Sequence, residues 1–526
     1  MFTPPANFAQ AEERLRRAHA TLLQAQLDVL QLSKIRNNFL LINQLPAEVL
    51  GAIFLEVALQ ESRSPHSLRW ISITQVCTHW RGISLSFPAL WARPNFVCSP
   101  LFTELMLYRS GTQPLRIKIA NVGRNLTRIN GLGLHFQRCY QLEVDHEGLS
   151  SALPYLDNTP TLQVLKITGR ARETLPQSLI HTLQSCPTLT HLEIEDYRLQ
   201  WRRIPVVPAL KTLRLDNGAS RCKSGLITDM HKVLSSMPAL EDLDLAWMTA
   251  WDILPQVNPS ASVKPPVVLP NLKSLTIADS RTQDIQAFFA SISIPPTTTI
   301  EVEVEDLHDG DREHIPVFLH SLGAIYNNTG SSGHGVSSQW KGFSKLELNT
   351  GGYYNRLSLW DNANIGETKK PRLLLQLFEV EIPFLLTKLK DAVGLSSLRW
   401  LSVNGENTVD LDAWLFFASV TTLETITLGW RTSIPVFFST ITGTIKHPLS
   451  TSHIPFPGLR ELHFKHVNFE QVESDLLPFL DTLSKTIKGR PSAQRLTKVR
   501  IENSRNVRAS SVEHLREVVQ VEWDEV

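Results

Sequence analysis

Cysteine is scarce in this chain: five in 526 residues, at Cys77, Cys98, Cys139, Cys186 and Cys222, with none beyond. No two stand close enough in sequence to suggest a zinc-ligand spacing, and their scatter gives no disulfide framework. The pattern predicts a protein of the reducing cell interior, cytoplasmic or nuclear. An excess of either charge is also lacking. Lys plus Arg number 52 against 51 acidic residues, a net charge of +1. Nothing in that balance draws the chain toward nucleic acid or an anionic membrane. No apolar run approaches the roughly 18 residues of a membrane span. The opening "MFTPPANFAQAEERLRRAHA" acquires charges before any apolar stretch, so it does not read as a signal peptide.

Catalytic patterns are missing too. There is no Gly-x-Ser-x-Gly elbow, and Gly330, Gly333 and Gly335 are not followed by the Lys-Ser/Thr of a phosphate-binding loop. His308, Asp309, Asp311, Glu313 and His314 form the densest polar cluster. It matches neither a His-Glu-x-x-His helix nor a calcium loop and reads as a solvated loop. Cys77 and His79, read as helical, would point about 200° apart and could not share a metal. Cys77 is expected on the inward face beside Val76 and Trp80, as a small core hydrophobe. The chain is read as a non-enzyme with no metal and no cofactor.

What is present falls into three textures. From about residue 9 to 35 there is neither proline nor glycine, and Leu15, Ala18, Leu22, Ala25, Val29 and Leu32 recur at spacings of three and four, a short heptad seam. Leu23, Leu27 and Leu30 widen the apolar surface. This helix could pack on the adjacent domain or pair with a second copy as a homodimer. From about 41 to 96 comes a helical module. "LPAEVLGAIFLEVA" starts a helix near Pro46, with Val49, Leu50, Ile53, Phe54 and Val57 on one face. After a break at "ESRSPHS", Ile73, Val76, Cys77, Trp80 and Ile83 mark a second helix, and "FPALW" closes the unit. So apolar a surface on so small a module normally finishes its burial against a partner.

The third texture is a repeated phrase. It reads "TPTLQVLKIT", "CPTLTHLEIE", "VPALKTLRLD", "MPALEDLDLA" and "LPNLKSLTIA", with first leucines at Leu162, Leu189, Leu210, Leu240 and Leu272, at intervals of 27, 21, 30 and 32. After weakening at "FSKLELNT" it returns at Leu398, Leu423, Leu459 and Leu496. An L-x-x-L-x-L phrase at such intervals is the signature of a leucine-rich solenoid, each phrase a short parallel strand with an amphipathic helix behind it. The expected class is therefore α/β, divided into an N-terminal helix (1–40), a helical module (41–96), a linking segment and cap (97–152) and an irregular solenoid (153–526). Two loop insertions are expected near 305–340 and 349–371. By alternation, Lys166, Glu193, Arg214, Asp244, Thr276, Ser402, Thr427, His463 and Arg500 should share the outward face of the strands, as a protein- or peptide-binding surface.

The module closely resembles the F-box domain, in the form common in mushroom-type fungal proteins. The residues that carry the likeness are Leu45, Pro46, Glu48, Leu50, Ile53 and Phe54, then Val76, Cys77, Trp80 and Arg81, then Leu90 and Trp91. It covers roughly residues 9–120. "QESRSPHSLRW" is longer than the corresponding stretch in compact members, which puts the loop geometry in question. The resemblance implies docking on a Skp-type adaptor and, through it, a cullin scaffold. Leu45, Pro46, Leu50, Ile53 and Phe54 would form the first contact group, with Val76 and Trp80 either aiding it or holding the helices together. It implies the role of substrate-recognition subunit of an SCF-type ubiquitin ligase, without catalytic residues. The alternative is a leucine-rich scaffold acting outside ubiquitin transfer.

Overall fold

The computed structural model describes residues 7–525, apart from 62–67, 95, 97–98, 121–130, 158, 171–172, 185, 219–222, 252–264, 280, 305–310, 328–341, 352–353, 362–369, 379, 381, 406–408, 430–433, 443–453 and 470–478. Cys98, Cys222, His308, Asp309 and the three glycines at 330, 333 and 335 lie outside the described residues. The chain forms two compact units, Met1–Ile167 and Thr168–Val526.

The first unit begins with α1 (Phe8–Asn38), whose start is fixed by the Asn7 side chain accepting the Gln10 N–H at 2.9 Å. None of its residues is buried. That removes the expectation that it packs on the adjacent domain. A 3-10 turn (Leu41–Gln44) leads into α2 (Ala47–Glu61), α3 (Ile73–Val76), α4 (Thr78–Ser86), a second 3-10 turn at Pro88–Trp91, and α5 (Pro100–Arg109). Leu50, Phe54, Trp70, Ile73, Ile83, Leu90, Trp91 and Met106 make one core. Within it the Trp70 and Trp91 rings meet edge-on at 5.1 Å, and Trp91 Nε1 donates to the Ser84 carbonyl at 2.7 Å.

Sequence periodicity predicts one continuous helix through Cys77, and here the structure differs. Cys77 has extended backbone angles (φ −158°, ψ 169°) and separates α3 from α4 as the latter's N-cap. Its Sγ accepts the Trp80 N–H at 3.4 Å. The side chain that was expected to be an inward core hydrophobe is half-buried and occupied with the end of a helix.

The segment expected as a linker and cap contains strands of the same kind as the repeats. These are β1 (Leu115–Ile119) and, after α6 (Leu132–Phe136), β2 (Cys139–Asp145). Then come α7 (His146–Leu156) and β3 (Val164–Thr168). β1 and β2 pair in parallel, Ile117 beside Leu142. The parallel array therefore begins before the first recognisable phrase.

In the second unit α8 (Gln177–Gln184) precedes β4 (His191–Glu195) and β5 (Thr212–Asp216). α9 (Ile227–Ser235), β6 (Asp242–Ala246), β7 (Val267–Val268), β8 (Ser274–Asp279), α10 (Thr282–Ser291), β9 (Ile292–Ser293), β10 (Thr299–Val304) and α11 (Ile315–Asn327) follow. Then come β11 (Phe343–Gly351), β12 (Tyr354–Asp361), β13 (Leu373–Phe378), α12 (Ile382–Val393), β14 (Trp400–Gly405), α13 (Leu411–Ser419) and β15 (Thr425–Gly429). The chain ends with α14 (Ile434–Ile441), β16 (Glu461–Lys465), α15 (Phe479–Gly489), β17 (Lys498–Glu502), α16 (Ala509–Arg516) and β18 (Gln520–Trp523). The strand order is β4-β5-β6-β8-β10-β13-β12-β11-β14-β15-β16-β17-β18, a large sheet that is mostly parallel, as in a leucine-rich-repeat array. Strands β7 and β9 form a separate small pair.

The repeated phrase has a local cause. The N–H of its first leucine closes a turn on the carbonyl three residues back: Leu189 on Cys186, Leu210 on Val207, Leu240 on Met237, Leu272 on Leu269 and Leu459 on Phe456. Proline stands just after the residue whose carbonyl accepts in each of these, at Pro187, Pro208, Pro238, Pro270 and Pro457. Its fixed φ suits the second position of such a turn. The turn aims the chain into a strand whose alternate residues (Leu192 and Ile194, Leu213 and Leu215, Leu275 and Ile277) are buried.

Both expected insertions contain regular elements. Residues 305–310 and 328–341 lie outside the described residues, but between them α11 buries Ile315, Phe318, Leu319, Leu322 and Tyr326. The described residues of the second include strands. β11 and β12 form an antiparallel hairpin inserted in the sheet between β13 and β14. The alternation in "YNRLSLWD" accounts for it, since Leu357 and Leu359 turn inward while Arg356 and Trp360 do not. Arg372 secures the return, its Nε and Nη2 donating to Asp361 Oδ2 at 3.0 and 2.8 Å.

Candidate functional site

Two surfaces have the chemistry of binding sites. The first lies on the helical module. Helix α2 is apolar nearly all round, so its leucine-like residues divide between two faces. Leu50, Phe54 and Ala58 turn into the module's core, while Val49, Ile53 and Val57 stay exposed. The single face read from the sequence is thus two adjacent stripes. Of the seven candidate contact residues, Leu45 (36% exposed), Ile53 (39%), Val76 (58%) and Pro46 lie open to solvent. Leu50 and Phe54 are buried in the module's core.

Trp80 bridges the two roles. It is half-buried, its ring lies 4.9 Å from that of Phe54, and its Nε1 donates to Asn43 Oδ1 at 2.5 Å. That bond ties α4 to the turn before α2 and so fixes where Leu41, Ile42 and Leu45 stand. Leu41 and Ile42, also apolar and exposed on that turn, were not among the sequence candidates. Their position ahead of the helical period hid them.

The second surface is the outward face of the sheet. In the second unit the sequence candidates fall into one continuous row across the hydrogen-bonded register. It runs Glu193, Arg214, Asp244, Thr276, then Glu301, Leu374, Ser358 and Glu347, then Ser402, Thr427, His463, Arg500 and Glu522. All eight candidates of this unit share that row. Lys166, on β3 of the first unit, is half-buried there. Glu301 on β10, Leu374 on β13, and Ser358 and Glu347 on the hairpin were missed because these strands carry no clear phrase, and of the four Leu374 and Ser358 are buried.

The row is electrically uneven. At β4–β10 the same face carries Glu193, Glu195, Asp216, Asp242, Asp244, Glu301 and Glu303 against Arg214 and His191. Arg214 Nε donates to Asp244 Oδ2 at 2.6 Å, with Glu193 3.6 Å from its Nη1. These bonds hold the Arg214 guanidinium above its usual range, the Asp244 hydrogen bond first. Burial, then a hydrogen bond and repulsion from Glu193, pushes the Glu195 carboxyl up to about 7. Burial also raises Asp216, with Asp196 and Asp244 adding to it. The far end at β16–β18 is mixed. His463 stands 3.1 Å from Glu502, and burial still holds its imidazole below the usual value. Arg500 pairs with Glu522 at 3.0 Å.

Among the described residues, no group of three or more His, Cys, Asp or Glu side chains is placed to hold a metal ion, and no helix is long and apolar enough to cross a membrane.

No protein-family model matches the chain, and no curated protein matches it by sequence. Among solved structures it is similar to the yeast Rad7–Elc1 complex, at 12% identity and a TM-score of 0.32, covering 85% of this chain and 92% of that one. It is also similar to the TLR13–ssRNA13 complex, at 12% identity and a TM-score of 0.31, covering 78% of this chain and 56% of that one. Both likenesses are too distant to carry an argument about what this chain binds. The parallel sheet, the repeated turn and the outward polar row make it a leucine-rich-repeat-like protein with a helical module at its N-terminal end.

Proposed function

We propose that the chain is the target-recognition subunit of an SCF-type ubiquitin ligase. In this reading the helical module is an F-box that docks on a Skp-type adaptor, which bridges to a cullin scaffold. The repeat face holds the target, and the chain supplies no catalytic residue. Holding a target lysine beside a charged ubiquitin carrier raises its effective concentration, and proximity is the whole contribution. One observation above all supports the reading. The apolar side chains of Leu41, Ile42, Leu45, Pro46, Ile53 and Val76 are exposed on a module that has its own buried core. Apolar exposure of that kind, at positions that resemble the F-box contact group, fits a protein-binding surface.

On the repeat face, the carboxylates of β4–β10 fit a target segment carrying Lys or Arg and repel a phosphate backbone. The alternative, a repeat scaffold working outside ubiquitin transfer, shares both surfaces and differs in what the adaptor brings with it.

The test is binding to a purified fungal Skp-type adaptor, comparing wild type with the double variant Ile53→Asp, Val76→Asp. Both positions are exposed, so the fold is retained, as circular dichroism checks. Adaptor binding is expected in the wild type and a loss of at least 100-fold in the variant. Equal binding by both, or by neither, overturns the docking role. Recovery of a cullin with the adaptor from cells separates the ligase reading from the scaffold.

A further inference from the structure

Helix α1 is 31 residues long, about 46 Å at the rise of an α-helix. Its apolar side chains lie in solvent: Leu15 is 57% exposed, Leu22 57% and Val29 62%, with Phe8, Leu23, Leu27, Leu30 and Leu32 comparable. They form two stripes. One is the heptad seam through Phe8, Ala11, Leu15, Ala18, Leu22, Ala25, Val29 and Leu32. The other, Leu23, Leu27 and Leu30, lies roughly 130° around the helix. The seam has a feature that a general sticky face lacks: large and small residues alternate strictly from Phe8 to Val29.

We propose that α1 pairs with α1 of a second copy of this chain along that seam, and that the two helices run antiparallel. In a parallel pair each seam residue meets its own counterpart. Leu22 would face Leu22 and the next layer would set Ala18 against Ala18. Leucine layers hold two helices toward the wide end of the roughly 8–10 Å range of axis separations and alanine layers need the narrow end. Two regular helices cannot satisfy both in alternation without leaving gaps at every alanine.

Reversing one helix removes the conflict. Ala11 then faces Val29 of the second copy, Leu15 faces Ala25, and Ala18 faces Leu22, each occurring twice by symmetry. Every layer of these three pairs one large with one small side chain, so a single spacing serves them all. The same register sets Arg14 across from Asp28 at the flank, again twice, an oppositely charged pair. In the parallel arrangement the flanking pairs would be Arg14 with His19 and Asp28 with Ser33, neither of which is oppositely charged at neutral pH. Charge and size therefore select the same orientation. This self-association is independent of adaptor docking, whose residues start after the helix ends.

The full chain is the right object for the test. Sedimentation equilibrium from 1 to 50 μM is run on wild type, Leu22→Lys on the seam and Leu27→Lys on the other stripe. A concentration-dependent dimer is expected for wild type and Leu27→Lys, and a monomer for Leu22→Lys. A monomeric wild type across that range, or a dimer disrupted by Leu27→Lys and spared by Leu22→Lys, overturns the proposal. Orientation is read by disulfide formation, scored as a dimer band absent from the wild-type chain. Ala11→Cys mixed with Val29→Cys should crosslink, and neither should crosslink alone. A strong band from Val29→Cys alone would show the parallel pair and reject the antiparallel one.

Discussion

Cys77 is a residue whose role a pair of substitutions can separate. Its Sγ accepts the Trp80 N–H at the start of α4. Sulfur accepts weakly, and a serine hydroxyl does the same work better. Cys77→Ser should therefore keep or raise stability, by up to about 1 kcal/mol, while Cys77→Ala should cost about 0.5–1 kcal/mol. Chemical denaturation decides it. A core hydrophobe would give the reverse order, with serine the more harmful. Glu195 offers a pH signature. Its folded carboxyl titrates near 7, raised by burial and by Glu193, so its contribution to stability is full below the ordinary carboxyl pKa and is lost as pH rises through about 7. Glu195→Gln should then melt at a higher temperature than wild type at pH 8, with the gap closed by pH 4. A gap that widens on acidification would contradict the assigned cause. Arg490 is the opposite case, a buried cation held by backbone carbonyls. Its Nη1 and Nη2 donate to the carbonyls of Phe456 and Pro455 at 3.2 and 2.6 Å, and burial lowers it to about 10.

At the scale of elements, close approach matters more than propensity. Gly323 in α11 faces the Ala392 carbonyl at the end of α12, and a β-carbon there would collide with it. Gly323→Val should push the two helices apart and cost about 3 kcal/mol, measured as a shift in the denaturation midpoint at constant slope. A change below about 0.5 kcal/mol would mean that the helices slide freely. Sequence reading found the elements with a strong period. The phrase strands stood where Leu192, Leu213, Leu243 and Leu275 alternate inward, because turn and strand repeat together. It failed where two signals overlapped. Val49 and Leu50 are neighbours on a helix that is apolar on both sides, so periodicity could not divide core from contact surface. Cys77 sits at the right spacing for a continuous helix, and only a backbone break shows it to be a cap. The β11–β12 hairpin lacks the Pro-x-Leu turn, so β11 read as a weakened phrase and β12 as an insertion. The outward row was legible wherever the phrase was, and Glu301, Leu374, Ser358 and Glu347 were invisible wherever it was not.

On the scale of the whole molecule, stability is distributed along a line. In a repeat array each strand is held by its two neighbours in the sheet and the helices behind it, so damage spreads from the site outward and fades. Leu462 in β16 is fully buried and lies beside Ile426 of β15 and Val499 of β17. Leu462→Asp places an unpaired carboxylate among them, and the local cost should exceed about 4 kcal/mol. The helical module has a separate core built on Leu50, Phe54, Trp70 and Trp91, and the two compact units divide the chain between them. Hydrogen exchange on the variant should therefore show protection lost in β15–β18 and preserved in α2, α4 and the pair β1–β2. On the proposed function, adaptor binding at Leu45, Ile53 and Val76 should be unchanged while a target held across His463 and Arg500 is released. If exchange accelerates in α2 as much as in β16, the chain unfolds as one cooperative body and the separation of tether from recognition face fails. If α2 stays protected while the C-terminal strands open, the two surfaces are energetically independent, as the proposed role of tether and receptor requires.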